Sequence, residues 1–150
     1  GRVVAPYVGI YSASKFALEA LADSYRFELA PFGVDSVIVE PGIHRTPILE
    51  NFQAPDDEER AAEYHPDADY VARVKAVFEE ANLAQETPGP EEVVQAFIRL
   101  VEMPAGTRPL RTIPTPALAP LLEPHNLAAE QLRQTTAQIF NVPELTVLKS

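Results

Sequence analysis

A β-branched run of strand length, Val34-Asp-Ser-Val-Ile-Val-Glu40, follows a helix-patterned segment and is closed by Pro41-Gly42. β-Branched side chains suit a pleated strand, and proline with glycine ends one. A short, mostly apolar strand set between helices is the pattern of a parallel sheet covered on both faces. The expected fold class is therefore α/β, a doubly wound parallel sheet with few strands in a chain of 150 residues.

Upstream, residues 1–10 read as an irregular lead-in, with Pro6 and Gly9 as breakers. A helix is expected from Ser12 to about Ala30, stopped by Pro31 and Gly33. Leu18, Leu21, Tyr25 and Leu29 form one apolar stripe, while Phe16, Ala20 and Phe27 fall on the opposite side. Glu19, Asp23 and Arg26 hold a narrow flank between. Since a surface helix needs only one apolar face, this one is expected to be buried on two.

Downstream, residues 43–66 read as an acidic loop with Pro47, Pro55 and Pro66. Its run Asp56-Asp57-Glu58-Glu59 is expected to be a solvated surface. A second helix is expected from about Ala68 to Ala84, with Val71, Val74, Phe78 and Ala81 on its inward face. After Pro88-Gly89-Pro90, a third spans 91–102, with Pro90 at its first turn, Glu91 and Glu92 at the positive end of its dipole, and Val94, Phe97 and Val101 facing inward. The proline-rich stretch 104–124 leaves room for a short edge strand, Leu110–Ile113. A last helix is expected from about Asn126 to Phe140.

The formal charge of −10 argues against nucleic acid or an anionic membrane as partner, since both require a basic surface. No run of about 18 apolar residues is present to span a bilayer. Cysteine is absent, which removes disulfides and thiolate metal sites and fits a cytoplasmic location. His44, His65 and His125 have no metal-ligand spacing, so no metal is expected. The chain opens on Gly1 rather than methionine and runs directly into patterned sequence, as a segment of something longer would.

Chemistry is concentrated in Tyr11-Ser-Ala-Ser-Lys15. The i, i+4 spacing puts both side chains on one helix face. A phenol ordinarily ionises near pH 10, and a neighbouring ammonium favours the ionised form. A tyrosine in that setting can give a proton to a carbonyl oxygen or take one from an alcohol. The lysine can also hydrogen-bond a ribose. The strand ends in Pro41-Gly42-Ile43-His44-Arg45-Thr46, at the carboxyl edge where open α/β sheets bind ligands. Gly42 permits close backbone approach there, and Thr46 offers a hydroxyl.

The segment YSASKFALEALADSYRFELAPFGVDSVIVEPGIHRT resembles the active-site helix, following strand and nicotinamide loop of classical short-chain dehydrogenases/reductases. The likeness covers residues 1–46 strongly and, more loosely, the helix at 91–102 and the strand near 110. It implies the C-terminal part of a Rossmann-like sheet in one domain. Residues 1–46 would carry the active-site helix, strand and nicotinamide loop, 47–88 a helical substrate lid, and 89–150 the last helices and edge strand. It also implies an NAD(P)-dependent oxidoreductase acting on an alcohol or ketone. Tyr11 would be the general acid/base, Lys15 its aid and the ribose ligand, and Pro41, Gly42, Ile43 and Thr46 the loop around the nicotinamide. The family's glycine-rich pyrophosphate loop does not occur here, and its serine, about a dozen residues before the tyrosine, would fall ahead of Gly1.

Without those parts the chain is expected to be inactive and poorly stable alone. The residues that choose NAD or NADP lie in the absent half. Ile48, Leu49, Phe52, Tyr64, Tyr70, Phe78 and Leu83 suit either a hydrophobic substrate or a self-packed helical cap. The two-sided first helix suggests a homo-oligomer, a habit of the family, or a second cover by a neighbouring helix of the same subunit. A catalytically silent dimerisation module is a second reading, against which the intact Tyr11, Lys15 and Thr46 weigh. An extended-type nucleotide-sugar epimerase or dehydratase is a third, disfavoured by the Pro-Gly-x-x-x-Thr loop.

Overall fold

The computed structural model describes residues 1–51, 56–63 and 68–149. They form two compact units, one of Gly1–Gly42 with Glu92–Ser150, the other of Ile43–Glu91.

In the larger unit, helix α1 spans Gly9–Glu28, starting ahead of the expected Ser12. A 3-10 turn, Ala30–Phe32, follows with Pro31 in its first turn, and Gly33 closes it at φ 71°, a left-handed conformation that glycine adopts without a Cβ clash. Strand β1, Ile38–Val39, pairs in parallel with β2, Arg111–Thr112. The ladder is completed by Ile38 N–H to the Leu110 carbonyl (2.8 Å) and Glu40 N–H to that of Thr112 (2.9 Å). A parallel pair within a mostly helical chain agrees with a partial Rossmann-like sheet.

Both strands are shorter than the expected 34–40 and 110–113. Before Ile38 the backbone is engaged elsewhere. Arg26 on α1 donates to the Asp35 carboxylate and to the Ser36 carbonyl (3.0 Å), and Ser36 Oγ donates to the Ala22 carbonyl (3.0 Å).

Helix α4, Glu91–Glu102, matches its expected span, but its inward face differs. Ala96 and Leu100 are buried while Val94, Phe97 and Val101 are exposed. Ala96 and Leu100, one turn apart on one side of the helix, line a groove together with Pro109 and Thr112. Arg108 donates to the Met103 carbonyl (2.9 Å) and ion-pairs with Asp35 (3.2 Å). It thereby caps the negative end of α4.

Helix α5, Ala119–Ile139, begins seven residues before the expected Asn126 and contains Pro124. Pro120 sits in its first turn, where the missing N–H costs nothing; Pro124 removes a single bond near that end. The exit is a Schellman turn. Asn141 is left-handed at φ 57°, Asn141 N–H reaches the Gln138 carbonyl (3.0 Å), and Val142 N–H reaches that of Ala137 (2.8 Å).

The apolar core consists of Ala30, Ala96, Leu100, Leu110, Leu122 and Ala137. Among the described residues no large side chain is fully buried. The expected double burial of α1 is not found. Phe16, Leu18, Leu21 and Tyr25 are exposed, and the residues of α1 that are buried are Ser12 and Glu19. Toward the end of the helix Phe27 and Leu29 are half-buried, so the apolar sides are left uncovered mainly over its first four turns.

In the smaller unit a 3-10 turn, Pro47–Asn51, and a short helix α2, Glu58–Ala62, occur where a plain loop was expected. Asp57 caps α2 by accepting from Arg60 N–H (2.9 Å), so the acidic run has a local role as well as a solvated one. Helix α3, Ala68–Leu83, lies as expected. Val74, Phe78 and Ala81 are half-buried, whereas Val71 is exposed. Phe52, Pro55, Tyr64, His65 and Pro66 lie outside the described residues. Among the described residues no helix is long and apolar enough to cross a membrane, and no His/Cys/Asp/Glu group is arranged to hold a metal.

Candidate active site

Tyr11 is the third residue of α1. Its first turn is secured by Ser12 N–H to the Val8 carbonyl (2.8 Å), and Ser14 Oγ donates to the Tyr11 carbonyl (2.7 Å). One turn on, the Lys15 ammonium lies 5.4 Å from the centroid of the Tyr11 ring, within reach of the cation–π attraction that holds such pairs together. Tyr11 is 56% exposed. Lys15 is also exposed and forms no ion pair among the described residues. The ammonium and the aromatic ring of the two residues thus lie together on an open face of α1.

Just upstream, Tyr7 has φ 62°, a left-handed conformation that costs a bulky residue strain of order 1–3 kcal/mol. It turns the chain into α1. Sequence patterning gave no sign of it.

At the end of β1, the Gly42 N–H donates to Thr115 Oγ1 (3.2 Å). A Cβ on Gly42 would stand 2.8 Å from Leu118 Cδ1 and 3.0 Å from Thr115 Oγ1. The close approach expected at this glycine is therefore made here by Thr115 and Leu118. Pro41 is exposed beside it.

Ile43 and Thr46 belong to the smaller unit. Ile43 is exposed. Thr46 and Asn82 of α3 bond reciprocally, Thr46 N–H to Asn82 Oδ1 (3.4 Å) and Asn82 Nδ2 to the Thr46 carbonyl (3.2 Å). Arg45 N–H reaches the Pro88 carbonyl (2.9 Å). His44, between them, is buried.

The feature sequence reasoning missed is a buried ion network linking the two ends of this machinery. Arg111 on β2 donates through Nη2 to both carboxylate oxygens of Asp23 (2.8 Å each) and through Nε to Glu19 (3.2 Å), with Glu40 at 3.5 Å. Arg2 bridges Glu19 (3.1 Å) and Glu40 (3.2 Å), and Asn126 Nδ2 donates to Glu40 (2.6 Å). Burial works against the Arg111 charge, but the hydrogen bonds it donates to Asp23 and then Glu19, with the attraction of those carboxylates, outweigh it and hold the guanidinium above its ordinary pKa. The available signal was the polar flank of α1, where Glu19 and Asp23 stand at i and i+4 between two apolar sides.

Residues 1–57 match the family model described as short chain dehydrogenase. The chain is 35% identical over 126 residues to 17-beta-hydroxysteroid dehydrogenase type 1 of Homo sapiens, covering 81% of this chain and 36% of that protein. Retinol dehydrogenase 5 of Mus musculus is 56% identical over 48 residues, 32% of this chain and 15% of its own. An uncharacterized oxidoreductase of Bacillus subtilis, YusZ, is 31% identical over 99 residues, 63% of this chain and 33% of its own. The matched stretch thus spans at most 36% of any of these three relatives.

Proposed function

We propose, from the premise that this chain belongs to the short-chain dehydrogenases/reductases, that it is the C-terminal half of an NAD(P)-dependent oxidoreductase acting on an alcohol or ketone. The observation that carries the reading is the open Tyr11–Lys15 pair, with the ammonium 5.4 Å from the ring centroid.

The residues present suit a nicotinamide cofactor in one respect that matters: Lys15 has donors to spare. No ion pair among the described residues occupies its ammonium, so it is free to hold ribose hydroxyls. When bound, the nicotinamide supplies or accepts the hydride. Tyr11 manages the proton at the substrate oxygen, giving it during ketone reduction and taking it during alcohol oxidation. Lys15 stands beside that phenol and steadies the negative charge that develops on it. On the family's pattern Pro41, Gly42, Ile43 and Thr46 form the loop around the nicotinamide, and residues 47–88 cover the substrate. Exposed Ile48, Tyr70 and Leu83 in that segment favour an apolar substrate, as do relatives named for hydroxysteroids and retinol. The uncovered apolar sides of α1 support a homo-oligomer, or burial against the N-terminal half. Tight cofactor binding requires the glycine-rich loop of that half, and this chain alone is inactive.

The test is Tyr11→Phe in the full-length protein. With the ring kept and the hydroxyl removed, turnover should fall by about 10²–10⁴ while NAD(H) or NADP(H) still binds. Turnover near wild type would refute the assignment.

A further inference from the structure

The groove lined by Ala96, Leu100, Met103, Pro104, Pro109 and Thr112 is apolar, and nothing says what covers it. The cavity bounded by Arg26, Arg108, Arg111, Arg133, Asn126 and Glu130 has its arginines already committed to carboxylates and carbonyls. The network around Arg111 is different in kind, because its partners sit on the elements that carry the proposed chemistry.

Glu19 lies one turn beyond Lys15 and two beyond Tyr11 on the same helix. Glu40 is the residue immediately before Pro41-Gly42. Arg111 touches both, at 3.2 and 3.5 Å, and grips Asp23 with both oxygens at 2.8 Å. Its side chain is 2% exposed. From the strand paired with β1, one guanidinium therefore ties the helix presenting the phenol to the end of the strand presenting the turn. The arrangement does little for net stability. Buried charges repay their desolvation only with full pairing, and Arg111 Nη1 has no hydrogen-bond partner among the described residues. What a planar fork with fixed donors does supply is a set distance and angle between the two elements.

We infer that Arg111 is a positioning residue for the proposed reaction, fixing the Tyr11–Lys15 helix against the Pro41-Gly42 turn through Glu19, Asp23 and Glu40. The inference rests on the function proposed above. Where proton transfer and hydride transfer must be aligned, displacement by about 1 Å costs roughly 10²-fold.

The experiment uses the full-length protein with two variants, Arg111→Lys and Glu40→Gln, and Arg133→Lys on α5 as control. Lysine keeps the charge but cannot span Asp23, Glu19 and Glu40 together. Should Arg111→Lys fail to fold, the near-isosteric Glu40→Gln still breaks the tie on the turn side. Expected are a roughly 10- to 100-fold fall in kcat with substrate KM little changed. The Tyr11 ring-carbon and Gly42 amide NMR signals should both move in the protein without cofactor, and neither should move in Arg133→Lys. Wild-type kcat with both signals unmoved in the folded variants overturns the inference. Turnover that survives Tyr11→Phe sinks the function itself, whatever the NMR signals do, so the two failures are distinguishable.

Discussion

The Lys15 ammonium and the Tyr11 ring face each other across one turn of α1, 5.4 Å from nitrogen to centroid, with no carboxylate competing for the lysine among the described residues. Because Lys15 is exposed and forms no ion pair among the described residues, Lys15→Met should cost the full-length protein no more than about 0.5–1 kcal/mol of stability, the scale of an exposed cation–π contact. Turnover should fall by about 10² or more, the scale of a lost acid–base assistant, with weakened cofactor binding. Unaltered steady-state kinetics would remove the lysine from the mechanism.

Stability of the 150-residue chain on its own follows from what α1 leaves uncovered. Phe16, Leu18, Leu21 and Tyr25 are exposed, as are Val94, Phe97 and Val101 on α4. A core built mostly of alanine and leucine cannot offset the entropy of ordering so many residues. The purified chain should bind the dye ANS, lose its secondary structure gradually on heating, and show no micromolar heat of binding with NAD(H) or NADP(H). A sharp cooperative melt would contradict the first part, and a micromolar titration the second.

The same helix shows how far sequence patterning reached. Tyr11 and Lys15 were legible because i, i+4 spacing on a helix is a local rule, and β1 was legible as parallel because its apolar run lies between helices. The direction in which α1 faces was not legible. Two apolar sides imply two covers, but in this chain the buried side is the polar flank, through partners such as Arg111 that lie about ninety residues away in sequence. The same limit applies to α4, where Ala96 rather than Phe97 faces inward. Periodicity gives a stripe but not the neighbour that selects it. Proline misled at α5 for a local reason: Pro120 and Pro124 read as breakers, though the first turn of a helix accepts the former and loses one bond to the latter.

Acid should weaken one tie in a known direction. Hydrogen bonds from Arg133 hold the Glu130 carboxyl below its ordinary value of 4.5, against the opposing effect of burial, with Gln134 assisting. A carboxyl with a depressed folded pKa contributes stability that is fully present above its unfolded value and is lost as pH falls through the folded one. Glu130→Gln in the full-length protein should therefore melt below wild type at pH 7, and the gap should close as pH drops beneath the ordinary carboxylate range. A gap that widened on acidification would reverse the sign and the assignment.

Gly42 tests whether the turn after β1 is set by packing within the chain. A Cβ there would lie 2.8 Å from Leu118 Cδ1 and 3.0 Å from Thr115 Oγ1, and the Thr115 hydroxyl already accepts the Gly42 N–H. Leu118 can rotate away, but the β-branched threonine is stiff and held by that bond. Gly42→Ala should destabilise the full-length protein by about 1–3 kcal/mol, the cost of overpacking. Leu118→Ala removes one of the two obstructing atoms, so the double variant should lose less than the sum of the singles. Strict additivity in denaturant melts would mean that the alanine methyl meets something other than Leu118, and that the close packing at this turn is not what requires glycine.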